Sequence, residues 1–308
     1  MLNPENQLNT NSSKKSTMKK NIFLFLATTL LLFASCDRGD YYEINHDIFT
    51  LSFPTDAVVY NGETIIFNWE VPTGGCPGGV TYLWQQSNNG QTWTNAPGAN
   101  TNRNYTTPPI TTNTYFRRLT TDDCGDTFST QTVRITIPVW ATRNVATPGT
   151  FAANPQDAGM FFQWNRRQGW SATGDIIGWD STPATGTEWE RENDPCPTGW
   201  RVPTMQEVGT LIRNHSRWVE NWNRTGVSGC LFGTAPNQIF LPAAGWRNYN
   251  NGALGNVGRN GCCMIWAQHG GANAGAGRVT LTIDGRCPTC GDIFQRANGF
   301  SVRCVAEN

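Results

Sequence analysis

Apolar and polar residues alternate through much of the first half of this chain. Phe49, Leu51 and Phe53 are separated by polar residues, and Thr64-Ile65-Ile66-Phe67-Asn68-Trp69 is β-branched and aromatic. Thr81-Tyr82-Leu83-Trp84 follows, and Asn88-Asn89-Gly90 offers a tight turn before Trp93. Thr114 to Leu119 and Thr132 to Ile137 repeat the pattern. A two-residue period places alternate side chains on opposite faces of a sheet, so residues 46–138 predict about seven short strands, an all-β sandwich. After Pro138-Val139 the alternation disappears, and one helix is legible. Thr204 followed by Glu207 is a capping box, Pro203 precedes it, and Val208, Leu211 and Ile212 share one face. That helix should run to about Asn214. Phe240 to Trp246 predicts a buried strand entering a tight bend.

A different pattern stands near the N-terminus. Lys19 and Lys20 precede an apolar run from Ile22 to Phe33, which ends in Ala34-Ser35-Cys36. A bilayer-spanning helix needs about 20 apolar residues, and this run is shorter. It fits the core of a signal peptide, with small residues that admit a peptidase. Residues 1–17 are polar, and Met18 is a candidate start. Residues 36–45 read as a tether.

Composition sharpens this picture. Residues 1–35 hold four lysines and one glutamate of the chain's 23 basic and 23 acidic residues, so the remainder keeps 19 and 22. That balance predicts no nucleic-acid partner. Every base after Lys20 is arginine, which removes lysine Schiff-base chemistry from the mature chain. Ten of the 13 tryptophans lie from Trp140 onward. Of the 10 cysteines, nine follow Cys36, and in an exported protein they read first as disulfides. Cys76 falls in the glycine-rich loop 74–79 and Cys124 in the hairpin Asp122-Asp123-Cys124-Gly125-Asp126, both outside the strands, so a bond between them would tie two loops.

The segment ending at Cys36 resembles the lipobox of bacterial lipoproteins, with Phe33 where leucine is more usual. The resemblance implies lipidation of Cys36, with palmitate among the acyl groups, and membrane attachment through that lipid. The stretch from Tyr82 to Leu119 resembles the immunoglobulin-like modules of bacterial surface proteins, with Trp84 as the core tryptophan.

Four ordered segments carry a second likeness: "WATRNVATPGTFAANPQDAGMFFQWNRRQGW", "DPCPTGWRVPTMQEV", "IFLPAAGWRN" and "ANGFSVRCVAE". Together they resemble the Fibrobacter succinogenes major paralogous domain over residues 139–308. That family implies an α+β, C-type-lectin-like arrangement related to formylglycine-generating enzymes. A Cys196–Cys304 bond would then correspond to the outer disulfide of lectin-like folds. Arg201, Arg247 and Arg303 accompany these motifs and are expected to hydrogen-bond loop carbonyls. Where the family has a Tyr-Trp-Ser-Ser-type segment, this chain has Gly261-Cys262-Cys263-Met264-Ile265-Trp266-Ala267.

The remaining cysteines allow several chemistries. The plain expectation joins Cys262 or Cys263 to Cys287 or Cys290, bracing long loops. A zinc site from those four has the right ligand count, but adjacent cysteines are awkward donors to one ion. A thiol–disulfide oxidoreductase would want Cys287-x-x-Cys290 at a helix start, and the flanking residues are turn formers. Formylglycine-type oxidation needs a cysteine pair before a "GF-R-C"-like segment, and the gap here is shorter than that enzyme's. Phosphate loops, HExxH and Gly-x-Ser-x-Gly are absent from the sequence. Asp180-Ser181-Thr182 matches a short glycan-acceptor pattern.

These features predict a non-enzymatic lipoprotein of the outer membrane or cell surface: an immunoglobulin-like sandwich, then a C-type-lectin-like region. No catalytic residue, metal or cofactor is expected. Adhesion to a protein or glycan ligand would use exposed members of Trp164, Trp170, Trp179 and Trp189. The alternatives are a structural envelope or pilus-associated component, and a formylglycine-generating-type oxidase.

Overall fold

The structure, a computed structural model, describes residues 48–72, 76, 78–255, 257–258, 263, 265–270, 275–278 and 294–307. The signal peptide, Cys36, the tether, Cys262, Cys287 and Cys290 lie outside the described residues. Among the described residues no helix is long and apolar enough to cross a membrane.

The fold is mostly strand. In chain order the first strands are β1 Ile48–Leu51, β2 Ala57–Val58, β3 Thr64–Phe67, β4 Val80–Ser87 and β5 Thr94–Asn95. They continue with β6 Tyr105–Thr106, β7 Thr114–Asp122, β8 Thr127–Ser129 and β9 Val133–Thr136. One sheet has the order β1-β3-β6, and the other β2-β9-β7-β4-β5 with β8 against β7. β1 runs parallel to β3 and β2 parallel to β9, so the chain changes sheet between β1 and β2. Pro54 accounts for that crossing. It restricts the preceding residue and cannot donate to a ladder, so β1 stops before Phe53, which is 67% exposed.

The alternating side chains of β3, β7 and β9 meet between the sheets. Phe67 stacks on Trp84 at 5.2 Å, Trp69 packs against Trp84 at 4.7 Å, and Tyr105 and Phe116 close the cluster. Trp84 is fully buried, and its indole N–H donates to the Asn102 carbonyl at 2.9 Å. Arg118 also enters this aromatic core, 2% exposed and with no carboxylate partner among the described residues. Its guanidinium donates to the carbonyls of Trp69, Glu70 and Arg103 and lies over the Tyr82 ring. At one end the Cys76–Cys124 disulfide joins the loop before β4 to the β7–β8 turn. Both of its cysteines lie outside strands, as the sequence suggested.

From Trp140 onward, regular structure comes in small pieces. These are β10 Phe161–Phe162, β11 Gly169–Trp170, β12 Trp200–Arg201, α1 Met205–Arg213, β13 Arg217–Val219, β14 Gly229–Phe232 and β15 Ile239–Pro242. The rest are β16 Trp246–Arg247, β17 Leu254–Gly255, β18 Trp266–Gly270, β19 Gly275–Arg278, β20 Phe294–Gln295, β21 Phe300–Ser301 and β22 Val305–Ala306. β13-β14-β15 and β18-β19-β20 each join consecutive strands antiparallel. Others join distant parts of the chain, as in β11-β10-β21 and β12-β22.

The capping box of α1 is complete: the Glu207 amide donates to Thr204 Oγ1 at 3.2 Å, and the Thr204 amide to Glu207 Oε2 at 2.7 Å. Glu207 also takes a two-pronged bond from Arg201, at 2.8 and 2.6 Å. Val208 and Leu211 bury the inner face against Phe232, Leu241 and Val305. A second cluster gathers Phe162, Trp164, Trp189, Trp266 and Phe300 around the Cys196–Cys304 disulfide. Trp200 is half-buried, its ring edge-on to Phe151 at 5.4 Å.

α1 also reaches back to the sandwich. Arg213 Nε donates to Glu63 Oε1 at 3.1 Å, and Nη2 donates to the Val58 carbonyl at 3.1 Å. Glu63 is 0% exposed. The described residues accordingly fall within one compact unit.

Candidate functional site

Segments this poor in ladder hydrogen bonds leave many backbone carbonyls to be satisfied by other donors. Arginine supplies five donors in a fixed fork and does much of this here. Arg303 is fully buried and donates to Asn144 Oδ1, the Ala141 carbonyl and the Phe240 carbonyl at 2.8, 3.2 and 3.0 Å. Burial pushes its guanidinium down to about 9, still protonated at neutral pH. Arg296 donates to the Ala184 carbonyl at 2.9 Å while its guanidinium lies over the Trp164 ring.

The most elaborate of these arrangements organises one surface loop. Arg247, at 1% exposure, donates to the carbonyls of Ser171 at 2.7 Å, Thr173 at 3.1 Å, Gly174 at 2.9 Å and Gly252 at 2.7 Å. At the other end of the same loop, Arg166 donates to the Thr182 carbonyl at 2.8 Å and is ion-paired with Asp180. Between the two anchors, Trp179 packs on Trp170 with ring centres 5.0 Å apart and donates its indole N–H to the Tyr249 carbonyl at 3.0 Å. Its ring lies between two glycines. A Cβ on Gly252 would stand 2.8 Å from Trp179 Cδ2, and one on Gly299 3.0 Å from Cη2. Gly252 also has φ +67°, so both space and backbone geometry call for glycine.

The loop so held presents apolar surface. Ile177 is 97% exposed and Tyr249 37%. Trp170 and Trp179 are partly exposed at its base, whereas Trp164 and Trp189 are buried core, packed edge to face at 6.0 Å. Burial takes Trp164 and Trp189 out of the set available for contact. The exposed tip at Ile177 carried no sequence signal, because a single isoleucine beside Ile176 reads as core.

If Arg247 is the clamp, Arg247→Met should leave four carbonyls without their donor. We expect a stability loss of about 2–4 kcal/mol and protease cleavage within residues 171–178, read by denaturant titration and limited proteolysis. Wild-type resistance in that segment would refute the clamp.

Asp180 provides a pH signature. The Thr182 hydroxyl at 2.6 Å and amide at 2.8 Å, then Arg166, pull its carboxyl down to about 2 from 3.8. In the window between those values the unfolded chain binds more protons. The stabilisation is therefore complete above pH 3.8 and is lost as pH falls toward 2. Asp180→Asn should flatten this acid limb when fluorescence-detected unfolding is repeated across that range. An unchanged limb would rule out the assignment.

Cys263 and Cys230 are free and buried. Among the described residues no group of three or more His, Cys, Asp or Glu could hold a metal ion.

Residues 55–139 match a family model described as a domain of unknown function, DUF8696. No curated protein and no solved structure matches the chain.

Proposed function

We propose that this protein is a lipid-anchored lipoprotein of the cell surface, with an immunoglobulin-like N-terminal sandwich. Its C-type-lectin-like C-terminal region binds a protein or glycan ligand without catalysis. The observation that carries the reading is the loop between Arg166 and Arg247. An isoleucine exposed to 97% stands on backbone fixed at both ends by guanidinium groups. A rigid apolar tip costs free energy in water and lowers the ordering cost of binding, which suits recognition. The partly exposed Trp170–Trp179 pair beside it supplies aromatic surface of the kind that stacks on sugar rings or anchors protein contacts. Anchoring rests on the Lys19-Lys20, apolar run and Cys36 pattern.

Glycan and protein arrays probed with the purified chain test the binding. Ile177→Asp should change stability by less than about 0.5 kcal/mol, as an exposed substitution, and abolish the array signal. A variant that binds like wild type would move the site elsewhere, and silence of the wild-type chain across broad arrays would sink the adhesin reading. Labelled palmitate should enter the wild-type protein and not Cys36→Ala.

A further inference from the structure

Cys230 lies on β14 and is 1% exposed; Cys263 is 0% exposed. Both belong to the apolar cluster that contains Val208, Leu211, Phe232 and Leu241. Cys230 is the neighbour that acts most directly on the Cys263 thiol. A single buried cysteine is adequately explained as a small apolar filler. Two buried in the same cluster are not, in a chain whose other described cysteines are all joined in pairs.

We propose that Cys230 and Cys263 are the site of a third disulfide, linking β14 to the segment that leads into β18. This pairing differs from the expected bonds between Cys263 and Cys287 or Cys290. It is independent of the ligand-binding reading.

The oxidant is a low-molecular-weight disulfide such as oxidised glutathione. One cysteine thiolate attacks a glutathione sulfur, and the first glutathione leaves as a thiolate that takes up the proton. The second cysteine, deprotonated, then attacks the protein sulfur of the mixed disulfide. The Cys230–Cys263 bond forms, and the second glutathione departs in the same way. Two protein thiols are oxidised and one glutathione disulfide is reduced to two thiols. The timing follows from burial. Burial, and then the Cys230 neighbour, hold the folded Cys263 thiol well above its ordinary range, so it stays protonated and unreactive. The bond therefore forms while the cluster is still open.

The test is a cysteine map of the full chain, matured under oxidising conditions. The chain is denatured in an alkylating reagent, digested without reductant and read by mass spectrometry. The expected result is a cross-linked peptide pair containing Cys230 and Cys263, released only by reductant. Recovery of either cysteine in alkylated form, or of Cys263 joined to Cys262, Cys287 or Cys290, would overturn the proposal. In Cys230→Ala, nearly all Cys263 should become alkylatable on denaturation. Efficient capture of Cys263 by another cysteine in that variant would count equally against it. The wild-type map decides the matter should the variant fail to fold.

Discussion

The Cys196→Ala/Cys304→Ala double variant is expected to unfold at far lower denaturant than wild type, with a loss of about 5 kcal/mol. The bond spans 108 residues, and its absence restores the conformational freedom of that whole loop to the unfolded chain. The chain-entropy relation gives that magnitude for a loop of this size, and no native contact need change to produce it. One further term acts in the same direction. Cys196 and Cys304 are 8% and 0% exposed, and removing both sulfurs leaves a small void beside Trp164 and Phe300. Equilibrium urea unfolding followed by tryptophan fluorescence measures the difference. A loss below about 1 kcal/mol would mean that the unfolded chain is already constrained there by other means.

Arg213→Leu should follow closely in size, at about 3–5 kcal/mol. The substitution leaves the Glu63 carboxylate, 0% exposed, without the guanidinium that lies 3.1 Å away. Truncating one member of a buried pair is costly because the surviving charge keeps its desolvation penalty. The Val58 carbonyl loses a donor at the same time, and the Phe49 ring loses the cation stacked 5.0 Å over it. The Tyr60 amide still donates to Glu63 Oε2 at 3.0 Å, and adding Glu63→Gln to Arg213→Leu removes the remaining buried charge and should recover part of the loss. Because Arg213 closes α1 and Glu63 precedes β3, the single variant should also separate unfolding of the sandwich core from that of the α1 core. Differential scanning calorimetry would then show two transitions where wild type shows one. A single transition at wild-type temperature would exclude a coupling role for the Arg213–Glu63 pair.

The features legible in advance were those with short-range physical causes. Strands β3, β4, β7 and β9 are legible as short β-branched and aromatic runs between turn signals, and α1 by a capping box whose reciprocal bonds are both present. Cys76 and Cys124 were legible as partners because each stood alone in a turn. Most of the C-terminal sheets were not, for a plain reason. A two-residue strand such as β10, paired with residues 169–170 on one side and 300–301 on the other, has no period to detect. The surface loop was partly legible. Its motif marks Arg247 as a donor to loop carbonyls, but neither its four targets nor the role of Arg166 follows from local sequence. Tryptophans divided in a way composition could not announce. Trp164 and Trp170 lie six residues apart, yet one is buried and the other partly exposed. Arg118 in an aromatic core and Glu63 beneath α1 were missed altogether, because a buried charge is recognisable only from partners distant in sequence.

The two cross-links differ in how a growing chain meets its oxidant. Cys124 is the next cysteine after Cys76, so an enzyme that oxidises thiols in order of emergence joins them correctly at first encounter. Cys304 is separated from Cys196 by Cys230, Cys262, Cys263, Cys287 and Cys290. Ordered oxidation would couple Cys196 to Cys230 first, and reaching the native topology then requires that bond to be reshuffled. Heterologous production should accordingly respond to co-expression of a disulfide isomerase more than to extra oxidase.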